Sequence, residues 1–227
     1  MISWIKLRVI CEGDTESLFV RNSLKPHLKA WQVSVEPIML FTNRPLRASG
    51  GAISWDRFAF YVNRLLKQHS AQSDRFSTLI DWYKLDPDFP GFAESRKIPQ
   101  PARRAVAVAQ AVQRVFDSQR FLPFFTLHEF EALLFCDLSA LQTRLPDHEK
   151  EITALRAEIG SIPPEEINDG AETHPSARLE KHIPGYRRAK KRVGAPAAAD
   201  IGLPILREKC PHFGQWLTSL EKLSQQT

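Results

Sequence analysis

Apolar and polar positions divide the chain into two differently patterned stretches. Residues 3–11 alternate, then become wholly apolar through Val9-Ile10-Cys11, which predicts a strand. Residues 14–30 repeat Leu18, Phe19, Leu24 and Leu28 near helical spacing, with Pro26 complicating the second half. A second strand is predicted over 32–41, a helix over 55–69, and a third strand over 76–81. A Pro-rich loop follows over 83–101, then a helix over 102–118 and a fourth strand over 121–127. Pro123 marks that last strand for a bulge or an edge position. Strands alternating with helices predict an α/β fold, its mainly parallel sheet flanked by helices. From residue 128 onward only helical patterns appear, over 128–143, 149–159, 177–182, 197–208 and 212–224. The expected organisation is an α/β domain over 1–136 and an α-helical C-terminal region over 137–227 packed on it.

Composition adds bounds to this picture. The chain has 227 residues, 43% of them hydrophobic, enough for a sizeable core. The net charge of +5 is compatible with a polyanionic partner. Cys11, Cys136 and Cys210 are far apart in sequence, so no disulfide framework is expected and a reducing cytoplasm fits. Lys6 and Arg8 interrupt the apolar start, which excludes a cleavable-signal pattern, and no apolar run reaches membrane-spanning length. Cys210 and His212 with Cys136 match no common zinc spacing. No P-loop sequence is present.

Chemistry concentrates where strands end. Glu12 follows the first strand, Gly13 supplies a turn, and Asp14 or Thr15 is placed to cap the next helix. Glu16 lies in that helix's first turn, where an acid also has an ordinary dipole explanation. Asp81 closes the third strand; His128, Glu129 and Glu131 follow the fourth. A parallel sheet brings such residues to one edge. Clustered carboxylates repel without a cation, and hard oxygen donors favour Mg²⁺ or Mn²⁺. The expected metal ligands are Glu12, Glu16, Asp81 and Glu131. Glu12, Asp81, His128 and Glu131 form the expected catalytic set, with His128 assisting proton transfer or contacting phosphate. A structural His128–Glu131 hydrogen bond remains the alternative.

Three further segments stand out. Gly50-Gly51 before Ser54 fits either a phosphate-binding turn or a plain flexible one. Glu165, Glu166, Asn168 and Asp169 fit an Asx-stabilised turn better than a metal loop. Arg187, Arg188, Lys190, Lys191 and Arg192 place five cations in six residues, with Tyr186 beside them to stack a base and Arg178 and Lys181 to extend the patch. A solvated charged face is the competing reading.

The Glu-Gly turn after the first strand and the acid closing the third resemble the TOPRIM domain of topoisomerases, primases and overcoming-lysogenization-defect nucleases. That pattern pairs a first-motif Glu with Asp-x-Asp; here Glu12 and Asp81-Trp82-Tyr83 stand, with Tyr83 in the second acid's place. EGDTESLFV, LIDWYKLDPDFPG, FLPFFTLHEFEALLF, PEEINDGAETHPSARLEKHIPGYRR and LREKCPHFGQWLTSLEKL together resemble a bacterial TOPRIM-related family of unknown function. Its members often accompany AAA-type ATPases, in the manner of phage-defence nucleases. The resemblance implies a TOPRIM-like sheet, Mg²⁺- or Mn²⁺-dependent phosphodiester cleavage of DNA or RNA, and an ATPase partner. The other reading is a TOPRIM-like module that binds nucleic acid or a partner without cutting. Self-association is left open by the sequence.

Overall fold

The computed structural model describes residues 4–40, 52–167, 170 and 172–225. Arg44, Arg47, the Gly50-Gly51 turn, Asn168 and Asp169 lie outside those residues. A parallel sheet forms the centre, built from β1 (Ile5–Cys11), β2 (Val33–Met39), β3 (Asp74–Asp81), β4 (Phe121–Leu122) and β5 (Phe125–Thr126). The order is β2-β1-β3-β4, and β5 continues the pairing further along β3. β3 is buried at every position, as a central strand covered on both faces must be.

The fourth predicted strand is in fact two. β4 pairs with Phe76 and Ser77, and β5 with Ile80 and Asp81. Between them Pro123 lacks an N–H for the ladder. Thr78 replaces the missing rungs: its Oγ1 accepts from the Phe124 N–H at 2.7 Å and donates to the Phe124 carbonyl at 2.5 Å. This detour carries the chain to the edge where Asp81 and Thr126 meet.

Two hydrophobic layers sandwich the sheet. On one face lie α3 (Trp55–Gln68), the short α4 (Phe92–Ser95) and α5 (Pro101–Phe116). Phe58, Val62, Ala105, Val108 and Val112 pack there on Ile10, Phe76, Ile80, Phe121 and Phe125. Each fully buried side chain of this size stabilises the fold by about 1.5–3 kcal/mol. The other face is covered first by α1 (Asp14–Phe19) and α2 (Lys25–Leu28), joined through a π-helical turn at Val20–Leu24. Pro26 has no N–H for an ordinary turn, and the ladder widens just before it, the Lys25 N–H reaching the Val20 carbonyl.

That second face also receives α6 (Leu138–Arg144), α7 (Glu149–Ile159), α8 (Pro175–His182), α9 (Tyr186–Ile201), α10 (Leu203–Lys209) and α11 (Pro211–Glu221). Phe130, Tyr186, Val193, Ala197 and Leu217 share one cluster with Leu7, Val9 and Val35 of the sheet. Two helical expectations change. Residues 128–143 do not form one helix: His128 takes φ +62°, a 3₁₀ stretch runs over Phe130–Cys136, and Asp137 caps α6 through the Ser139 N–H. The basic run is not a loop preceding a helix; it is the first half of α9. α9 packs on α1 at Gly194, where a Cβ would make an ordinary contact 3.4 Å from Thr15 Cγ2, and the helix continues through Pro196. Among the described residues no helix is long and apolar enough to cross a membrane.

Candidate functional site

Register fixes the first acid. Cys11 pairs with Met39 on one side and Leu79 on the other, so Glu12 lies one step beyond, beside the end of β3. Its carboxylate accepts the Asp81 backbone N–H, and its buried Oε2 accepts no hydrogen bond. Gly13 has φ −142°, an extended conformation open to any residue. A Cβ there would stand 3.0 Å from Glu16 Oε2, so a side chain at this position would press on the Glu16 carboxylate. The Glu16 carboxylate folds back onto the N–H groups of Gly13 and Glu16 and is only 5% exposed. A purely dipole-favoured acid would stay hydrated. Neither Asp14 nor Thr15 caps the helix: Gly13 holds that position without a side-chain bond, and Asp14 pairs outside with Lys191.

Asp81 and Glu131 complete the group. Asp81 Oδ1 accepts from Thr126 Oγ1 and from the Phe130 N–H, both at 2.9 Å. Glu131 is fully buried; Lys190 Nζ lies 2.7 Å from its Oε1, and its Oε2 accepts no hydrogen bond. Burial, reinforced by Glu16, pushes Glu12 up to about 7 against the pull of Lys84 and Lys190. Burial likewise raises Glu16. Asp81 stands well above the carboxylate range through burial and the charges of Glu12, Glu16 and Glu131. Burial brings Glu131 to about 6 against the opposing Lys190 charge. Burial would lower Lys190, but Glu131, Asp81 and Glu16 overcome it and hold the ammonium charged. Four carboxylates from three segments therefore share one half-buried cation, supplied by the chain. Among the described residues no three His, Cys, Asp or Glu side chains form a ready-made ion cage.

The basic run is thus divided. Lys190 turns inward, which corrects its assignment to a nucleic-acid surface. Arg187, Arg188, Lys191 and Arg192 are exposed, and the three arginines make no ion pair among the described residues. Arg178 and Lys181 do not extend the patch freely, since both bind Glu158, at 2.6 and 2.7 Å. Tyr186 cannot stack a base: it is 1% exposed, with its hydroxyl buried, unbonded and facing the Glu131 side.

Other expected residues also land elsewhere. His128 is buried and lines a small recess with Trp82, Pro101, Arg104 and Leu127, on the α5 side. Glu165 caps α11 through the His212 and Phe213 N–H groups. Cys136 and Cys210, remote in sequence, meet with sulfurs 3.3 Å apart; His212 Nε2 bonds the Phe125 carbonyl, so the three make no zinc site. Sequence reasoning missed Glu129, whose carboxylate collects Ser176, His174 and Tyr83. It also missed the inward Lys190. The small apolar stripe Val193–Ala198 was the available signal that this run has a buried side.

A mainly parallel α/β sheet gathers acids and a lysine at its strand tips, the edge where open α/β sheets place ligands. The chain belongs to the family described as Domain of unknown function (DUF4276), whose pattern spans residues 11–221. No curated protein matches the chain. Solved structures of the C-terminal region of the Xanthomonas campestris pv. campestris OLD protein are similar at low identity. One, phased with iodine, shares 14% identity over 93% of this chain and 95% of its own, with TM-score 0.38. Another, phased with mercury, shares 14% over 93% and 96%, with TM-score 0.41.

Proposed function

We propose that this protein is a TOPRIM-like nuclease that cleaves phosphodiesters with Mg²⁺ or Mn²⁺. One observation carries the reading: Lys190 of α9 pairs with Glu131 among the four acids while Arg187, Arg188 and Arg192 remain exposed on the same helix. A polyanion held by those arginines lies against a helix whose Lys190 reaches the acids. The donor set fits a hard divalent ion, because buried oxygens of Glu12 and Glu131 accept no hydrogen bond and the acids raise one another's proton affinity. Glu12, Glu16, Asp81 and Glu131 would hold the ion, which supplies Lewis acidity at the phosphodiester when bound. Thr126 and the Phe130 N–H orient Asp81, and Lys190 balances residual negative charge. An AAA-type ATPase partner and a phage-defence setting rest on the sequence resemblance alone.

Cleavage of DNA and RNA with Mn²⁺ tests the proposal, comparing wild type with Glu12→Gln and Asp81→Asn. Wild-type cleavage with at least ~100-fold loss in both variants is expected. Equal activity in all three would sink it. A non-cutting binding module is the second reading, favoured by Tyr83 in place of the second acid and by Lys190 already neutralising Glu131. Unchanged nucleic-acid binding in all three proteins, with no cutting, supports that alternative.

A further inference from the structure

The proposed hydrolysis needs a group to move a proton. A second histidine pairs with Glu129, two residues from Glu131. His174 immediately precedes α8, and its Nδ1 lies 2.9 Å from Glu129 Oε2. Glu129 is 3% exposed, yet it is richly supplied with donors. Its Oε2 accepts the Ser176 N–H at 2.8 Å, its Oε1 accepts Ser176 Oγ at 2.8 Å, and the Tyr83 hydroxyl also bonds it.

These contacts determine the tautomer. The Ser176 N–H, the Ser176 hydroxyl and the Tyr83 hydroxyl all turn hydrogens toward Glu129, the bonding pattern of an ionised carboxylate. An ionised carboxylate has no hydrogen to give, so His174 Nδ1 must donate. The Ala177 N–H, 3.3 Å from that same nitrogen, then finds no acceptor there. The lone pair is left on Nε2, and the side chain is 26% exposed. Ser176 is not a triad nucleophile, because its hydroxyl is spent on Glu129 and lies against Nδ1, not Nε2.

Position links this pair to the pocket. Glu129 is two residues from Glu131, whose proton affinity its charge raises. Tyr83, two residues past Asp81, feels the charges of Asp81 and Glu12 and stacks on His174 with ring centres 6.1 Å apart. The aromatic residue standing in the second acid's place therefore connects the acid pocket to a buried-carboxylate–histidine pair.

We infer that His174 is the general base of the proposed phosphodiester hydrolysis, oriented by Glu129; this rests on the nuclease reading. Nε2 takes a proton from water as the water oxygen bonds to phosphorus. The bond from phosphorus to the leaving nucleoside oxygen breaks, and that oxygen keeps the electron pair and takes a proton from solvent. Glu129 is a positioning residue in this scheme.

Mn²⁺-dependent cleavage by wild type, His174→Gly and His174→Asn tests the assignment. The asparagine amide retains a donor toward Glu129 and guards against misfolding. Both variants should lose about 100-fold in kcat. Added imidazole should restore part of the His174→Gly activity and none of that of Asp81→Asn. Diethyl pyrocarbonate labelling, mapped by mass spectrometry, should modify His174 in the free protein and be blocked by nucleic acid bound with Ca²⁺. Active wild type, inactive Asp81→Asn and fully active His174 variants would overturn this inference and leave the nuclease reading standing. Failure of imidazole rescue, or labelling unaffected by nucleic acid, also overturns it. A wild type that cuts nothing removes both.

Discussion

β3 carries an aspartate at each end, and both are 4% exposed. At its start, Asp74 Oδ1 meets Arg8 Nη1 at 2.7 Å and Oδ2 accepts the Ala71 N–H at 3.0 Å. Burial would raise it, but those partners hold its carboxyl below the usual range. At the other end, Asp81 has two good donors and yet stands well above that range, because burial is compounded by Glu12, Glu16 and Glu131. The same residue type on one strand is structural where a cation satisfies it. It is stressed where acids surround it, and a folded protein that keeps such a cluster carries a cost that a ligand can offset.

The sharpest way to break this comparison is to remove the cation that tempers the stressed end. Lys190→Met should destabilise the fold by about 3–5 kcal/mol at pH 8, measured by urea unfolding, because Glu131 loses its buried partner. The loss should shrink at pH 5 as the acids protonate. A small, pH-independent loss would show that Lys190 does not balance the cluster.

Next comes the pH dependence. Glu12 has a folded value near 7, above its ordinary 4.5, so the folded state binds its proton more tightly than the unfolded chain. That stability is complete below about pH 4.5 and is lost as pH rises to about 7, by up to ~3 kcal/mol. Glu131, near 6, adds to the same slope. Urea midpoints across this window should fall with rising pH in wild type and fall less in Glu12→Gln. Mn²⁺ at pH 8 should recover stability in wild type and recover little in the variant.

The smallest effects come from exchanging the two aspartates in turn. Asp74→Asn should cost about 1–3 kcal/mol at neutral pH, through the lost charge-assisted bond to Arg8. Asp81→Asn keeps an oxygen for Thr126 and Phe130 and sheds a repelled charge, so it should gain about 1 kcal/mol at pH 8. Thermal unfolding of the two variants side by side checks the opposite signs; destabilisation by both would erase the distinction between the ends.

Much of this was readable in order along the chain. The apolar runs Val9-Ile10-Cys11 and Leu79-Ile80 mark central strands, with Glu12 just past the first and Asp81 closing the third. Pro123 correctly announced a disturbed strand, because a missing N–H is a local property. Glu16 was ambiguous locally, since a first-turn acid is ordinary; the burial that distinguishes it comes from packing by α9. His128 was misplaced because its φ of +62° breaks the helix assumed for 128–143. Without that helix, the spacing between His128 and Glu131 says nothing about a shared face.

The sequence by itself determined the alternation of strands and helices, and hence the edge at which Glu12, Asp81 and Glu131 arrive. Period and parallel pairing are short-range rules, and they survive any choice of packing. Tertiary structure alone decided which basic residue serves the acids and which serve the surface. Five cations in six residues look equivalent until α9 docks on α1, which turns Lys190 toward Glu131 and leaves Arg187, Arg188 and Arg192 outside. It likewise brought together Glu129 and His174, 45 residues apart, because only the docking of α8 against the strand tips places them in contact.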